Sequence, residues 1–84
     1  MEDELYKIFL ENIRQKLTDK VKGNISASMD DRHIYIGIYR FGHWWNYTMY
    51  NVDLADVNTL NSDISVELIL GAYRAFINDS YFVL

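Results

Sequence analysis

Three short runs in the middle of the chain alternate in hydrophobicity, and their alternations agree with one another. Ile25, Ala27 and Met29 alternate with Asn24, Ser26 and Ser28; Ile34, Ile36 and Ile38 with Tyr35, Gly37 and Tyr39; Trp45, Tyr47 and Met49 with Trp44, Asn46, Thr48 and Tyr50. A period of two marks β-strands with one buried face. Asp30-Asp31-Arg32 reads as one turn and Phe41-Gly42 as a second, tight one. With Phe41 and Gly42 as loop residues, Ile38 faces Trp45, Ile36 faces Tyr47 and Ile34 faces Met49. A slip of one residue sets all three isoleucines against outward side chains, so the register is strongly specified.

Helical periodicity flanks this meander. From about Glu2 to Lys20, Leu5, Ile8, Phe9, Ile13 and Leu17 recur at spacings of three and four, predicting one apolar stripe. Glu2, Asp3 and Glu4 at the start and Lys16 and Lys20 at the end suit the helix dipole. Gly23 ends the helical region. Between Val52 and Asn61 a turn or loop is expected, pinned by Leu54, Val57 and Leu60. Ser65 is the expected N-cap of the final helix, with Ile64 and Ile69 as a hydrophobic staple. Val66, Ile69, Leu70, Tyr73, Phe76 and Ile77 supply its buried stripe, Asn78-Asp79-Ser80 its end, and Tyr81 to Leu84 an apolar tail folded back on the core.

The expectation is a single α+β domain over residues 1–84, a three-stranded antiparallel meander with two helices packed on one face (α-β-β-β-α). Its other face stays open to water. Of the side chains pointing there, Tyr35, Tyr39, Trp44 and Tyr50 are aromatic, with Tyr39 opposite Trp44 and Gly37 leaving a hollow beside them. Four half-exposed rings present about 300–500 Å², comparable with the largest apolar patch on an ordinary monomer. This face is the candidate site for a protein partner or a second copy of the chain.

Charge adds a second candidate surface. The net charge of −4 comes from the second half of the chain, where Arg74 is the lone basic residue against Asp53, Asp56, Asp63, Glu67 and Asp79. Asp53, Asp56, Asp63 and Glu67 define an acidic surface that repels phosphate backbones and suits a basic partner. The chain has no cysteine, so disulfides and thiolate metal sites are excluded, and half of its residues are hydrophobic, enough for a packed core. The acidic start lacks the pattern of a secretory signal, and no apolar run approaches the roughly 20 residues of a membrane span. A cytoplasmic protein that does not engage membranes is expected.

The element order resembles the double-stranded RNA-binding domain, a family that grips phosphates with lysines at the start of its second helix. The corresponding stretch here, Ser65-Val66-Glu67-Leu68-Ile69, carries no lysine. Phosphate contacts supply most nucleic-acid affinity, so that resemblance implies at most a weak nucleic-acid-binding module. Aromatic platforms for single strands are rimmed with basic residues, and only Arg32 and Arg40 lie near this one. His33 and His43 stand at opposite ends of one hairpin arm, about 26 Å apart at 3.3 Å per residue, too far to share an ion. No nucleophile with a base, no paired carboxylates and no phosphate-cradling glycine loop is present. Neither catalysis nor a cofactor or metal is expected.

The Trp45-Asn46-Tyr47 step and the closing Ala72-Tyr73-Arg74-Ala75-Phe76-Ile77 with Tyr81-Phe82 resemble small proteins encoded by phages and prophages of Gram-positive bacteria. That resemblance implies a non-enzymatic accessory product acting on host machinery. Three readings stay open: an interaction protein using the aromatic face, with a homodimer as its simplest form; an acidic inhibitor of a host nucleic-acid-binding protein; and a weak nucleic-acid-binding module.

Overall fold

The structure, a computed structural model, describes the backbone of residues 2–83 and the side chains of residues 4–78. Helix α1 (Glu2–Lys20) precedes strands β1 (Asn24–Asp30), β2 (His33–Arg40) and β3 (His43–Met49), a short 3-10 turn (Leu54–Asp56) and helix α2 (Thr59–Val83). The strands form one antiparallel sheet in the order β1-β2-β3. The α-β-β-β-α architecture of the α+β class is thus the one the periodicities predict.

The register follows strand parity. Ile38 pairs with Trp45, Ile36 with Tyr47, Ile34 with Met49 and Tyr39 with Trp44, while Ile25, Ala27 and Met29 of β1 meet Ile38, Ile36 and Ile34. Both hairpins close with two residues at positive φ: Asp31 at 47° and Arg32 at 66°, then Phe41 at 55° and Gly42 at 80°. This is the type I′ pattern, whose twist matches that of paired strands. The three isoleucines of β2 are fully enclosed beneath the helices with Phe9, Ile13, Leu17, Val66, Ile69 and Leu70. Trp45 of β3 joins the sheet to α2, its ring 5.3 Å from that of Tyr73 in an edge-on contact.

The helices depart from expectation in their rotation and start. On α1, Leu5 and Ile8 are exposed, and Tyr6 takes the inward place ahead of Phe9, Ile13 and Leu17. The Tyr6 hydroxyl donates to the carbonyl of Val52 at 2.9 Å, so burying the ring also satisfies a backbone acceptor. Val52 is itself tied down, its N–H donating to Arg32 O at 2.9 Å. Val52 and the half-buried Val57 therefore anchor the connection, whereas Leu54 and Leu60 face solvent.

Helix α2 starts six residues before Ser65. Asn58 caps it, its Oδ1 accepting from the N–H of Asn61 at 2.8 Å. Ser62, fully buried, donates to Thr59 O at 2.7 Å and accepts from Lys16 Nζ at 3.2 Å. Lys16 also pairs with Asp63, and Lys20 with Glu67 at 3.1 Å, lacing the parallel helices along their outer seam. The helix runs past Asn78-Asp79-Ser80 to Val83 and does not stop there. The inward packing expected of Tyr81 to Leu84 falls on side chains outside the described residues.

Gly23 links α1 to the sheet at a φ of 147°, and a Cβ there would lie 2.6 Å from Tyr39 O. Close passage of the chain over β2 requires glycine at this point as much as its dihedral does.

Candidate interaction surface on the open face of the sheet

Strand parity delivers Tyr35, Tyr39, Trp44 and Tyr50 to the face turned away from the helices, in two clusters. At one end the rings of Tyr39 and Trp44, paired across β2 and β3, lie 5.1 Å apart at 51°. At the other, Tyr50 meets His33 edge-on at 5.4 Å. His33 also accepts the Asn51 N–H at Nδ1, at 3.2 Å, just where Asn51 turns the chain with a φ of 51°. Holding that turn is a structural role for His33. Tyr35 stands between the clusters, with Thr48 across from it.

The expected hollow over Gly37 is filled. A Cβ on Gly37 would lie 3.1 Å from Cε3 and Cζ3 of Trp44 and 2.6 Å from Ser26 Oγ. The indole of Trp44 therefore reaches across the strand and covers the glycine. Trp44 is still 52% exposed, so its ring is fixed in position without being hidden.

Phe41 completes this end of the face and was not among the side chains expected to form it. It occupies the first position of the β2–β3 turn, with its side chain 81% exposed. Type I′ turns favour asparagine or aspartate before glycine, because a bulky residue at positive φ is strained, here by about 1 kcal/mol. Local chemistry argues against phenylalanine here. Arg40 lies over its ring, 4.5 Å from the guanidinium carbon to the centroid. A recess beside it is lined by Lys22, Gly23, Asn24, Tyr39, Arg40 and Phe41. Two exposed rings, a half-buried tyrosine and two cationic side chains thus converge at one corner. The Phe-Gly pair was itself a readable sign, since its first residue is wrong for its turn.

The acidic candidates do not converge. Asp53 lies 3.6 Å from Arg32, while Asp63 and Glu67 are held by Lys16 and Lys20 on the seam between the helices. Asp56 sits on the 3-10 turn. Paired charges project a weaker field than their formal count suggests. Glu11, on α1, is lowered to about 2 by hydrogen bonds from Arg14 and then Gln15, an exposed pairing within one helix surface.

The start of α2, Thr59-Leu60-Asn61-Ser62-Asp63, carries no basic residue, as Ser65 to Ile69 does not. Among the described residues no three His, Asp or Glu side chains gather to hold a metal ion, and no described helix is long and apolar enough to cross a membrane. No family model, no curated protein and no solved structure matches this chain.

Proposed function

We propose that this protein is a non-catalytic interaction module that docks a protein partner through the open face of its sheet. Trp44, Tyr39 and Phe41 act as the anchoring end, and Tyr35 and Tyr50 extend the contact. The observation that carries this reading is Phe41, a largely exposed ring at a strained φ of 55° beside a fixed, half-exposed indole. Strain at an exposed position that packing does not require is a signature of a site kept for contact, and exposed aromatic anchors beside arginine dominate binding energy at protein interfaces. Lys22 and Arg40 at the same corner favour a partner segment carrying carboxylates next to an apolar side chain.

The resemblance to phage and prophage products belongs to the same proposal. It casts the partner as a component of the host cell's machinery and places the encounter in the cytoplasm. The reading as an acidic inhibitor has less support, because three of its four carboxylates are engaged by cations of the same chain.

The test is comparative capture from host lysate with the wild type, with Phe41→Ala/Trp44→Ala, and with Asp53→Lys/Asp56→Lys. A partner retained by the wild type and the charge variant but lost by the aromatic variant is the expected result. Loss on charge reversal alone would transfer the contact to the acidic surface. A salt-sensitive gel shift with RNA or DNA, abolished by the aromatic variant, would replace the protein partner with a nucleic acid.

A further inference from the structure

Both outer strands of the sheet have a free side, and the two are not alike. Helix α1 packs closely against β1, and no helix comes comparably near β3. Arg40 and His43 close the β2–β3 turn as partners, and in a two-residue hairpin the closing pair exchanges both of its hydrogen bonds. Pairs then alternate, so His43, Trp45, Tyr47 and Met49 direct their N–H and C=O groups to β2. Those of Trp44, Asn46 and Thr48 point away from the sheet. Among the described residues no backbone hydrogen bond from outside the sheet reaches any of the three.

Sheets guard such an edge with charges, proline, a bulge or a covering element, because bare backbone groups pair with any strand that arrives. Over its seven residues β3 carries no Asp, Glu, Lys or Arg and no proline, and its register with β2 runs unbroken. Its core-side residues Trp45, Tyr47 and Met49 are only half-buried, while Ile34, Ile36 and Ile38 of β2 are fully enclosed. The isoleucines have a strand on either side. Residues of β3 have one.

We infer that the free edge of β3 is a docking site for an extended protein segment, which joins the sheet as a fourth strand. Recognition is by backbone: donors and acceptors at every second residue, Trp44, Asn46 and Thr48, have the spacing of another strand. The segment's side chains alternate. Those turned toward the helices are apolar and cover Trp45, Tyr47 and Met49; those turned outward lie beside Trp44. A second copy of the chain does not fit there. Trp45 packs on Tyr73 and Phe76, which sets α2 beneath β3. Joining β3 to β3 spaces the strands about 4.8 Å apart, and brings the helices beneath them closer than the roughly 8–10 Å that packed helices keep. The inference deepens the proposed function and rests on its reading of the partner as a protein.

The test uses a library of random twelve-residue peptides, selected on the wild type, with one enriched peptide then synthesised. The enriched sequences are expected to alternate apolar and polar residues. Methylating the backbone nitrogens on the edge of the peptide that faces β3 is expected to abolish binding, while methylating those on its opposite edge is tolerated. On the protein side, the Asn46 N–H takes no part in the ladder, so Asn46→Pro removes an outward donor without breaking a bond to β2. It is expected to weaken binding about tenfold or more with an unchanged circular dichroism spectrum. The methylated peptides decide the matter even where the proline variant fails to fold. Failure to enrich any peptide would overturn the inference. So would a peptide that tolerates methylation on both edges and is lost on Phe41→Ala/Trp44→Ala, which would leave the proposed docking on the open face standing without the added strand. A wild type that sediments as a dimer, and as a monomer after Asn46→Pro, would replace the segment with a second copy.

Discussion

Gly37 and Gly71 lie on two apolar surfaces that the described residues turn to water, and the fold treats them in opposite ways. Over Gly37 the indole of Trp44 sits in van der Waals contact, with Tyr39 stacked beside it. Over Gly71 there is nothing. The sheet face is thus partly self-explained, since its rings stabilise the strands by packing on one another. The ridge of exposed Leu60, Ile64 and Leu68 beside Gly71 on α2 has no such internal account, because aliphatic side chains directed outward from a helix stabilise nothing in their own chain. An exposed apolar side chain indicates a partner most strongly where removing it would cost the monomer least.

That contrast can be broken by substitution. The largest effect belongs to Trp44→Ala, which removes the stack with Tyr39 and the cover over Gly37. A half-exposed tryptophan with one aromatic neighbour is expected to contribute about 2 kcal/mol, read as a lower urea midpoint at unchanged slope. A loss under about 0.5 kcal/mol would mean that the ring is held for contact alone. Gly37→Ala comes next. Overpacking costs about 1–3 kcal/mol, while alanine recovers about 0.5–1 kcal/mol of backbone entropy. Ser26 can turn its hydroxyl away but the indole must shift, so a net destabilisation of about 1 kcal/mol is expected in the same assay. The smallest effect has the opposite sign: Gly71→Ala is expected to raise stability by about 0.5–1 kcal/mol in the same assay. Destabilisation there would show that Gly71 serves the single chain after all, and would remove the distinction between the two faces.

How much of this could be read beforehand varied by element for physical reasons. Strand register was legible because parity has only two settings, and one of them buries three isoleucines. The rotation of α1 was not, because Leu5 and Ile8 make as good a column with Phe9 as Tyr6 does. The choice rests on a hydrogen bond from Tyr6 to Val52, 46 positions away. The start of α2 was misplaced because Ser65, with Ile64 and Ile69, satisfies every local rule for a cap. Each such signal is worth only about 1 kcal/mol, and Asn58 meets the same need seven residues earlier, where Ser62 can be buried against Lys16. That misplacement concealed the ridge: with the helix begun at Ser65, Leu60 counted as a loop anchor and Ile64 as a staple, and no outer stripe existed to notice. On the sheet, Tyr35, Tyr39, Trp44 and Tyr50 were placed correctly by parity alone. Phe41 escapes a reading by periodicity because a turn position carries no face, and only its poor fit to a positive φ marks it.

The lacing of Lys16 to Asp63 and Lys20 to Glu67 joins residues 47 positions apart. Both hairpins can close as soon as their own few residues are available, but the cover for their inner face comes from the helices on either side of the meander. On the ribosome, then, a nascent chain carrying α1 and the whole meander still exposes its isoleucines. Only when α2 has cleared the exit tunnel can the domain close over them, so the inner face of the sheet waits uncovered for an element made after the whole meander.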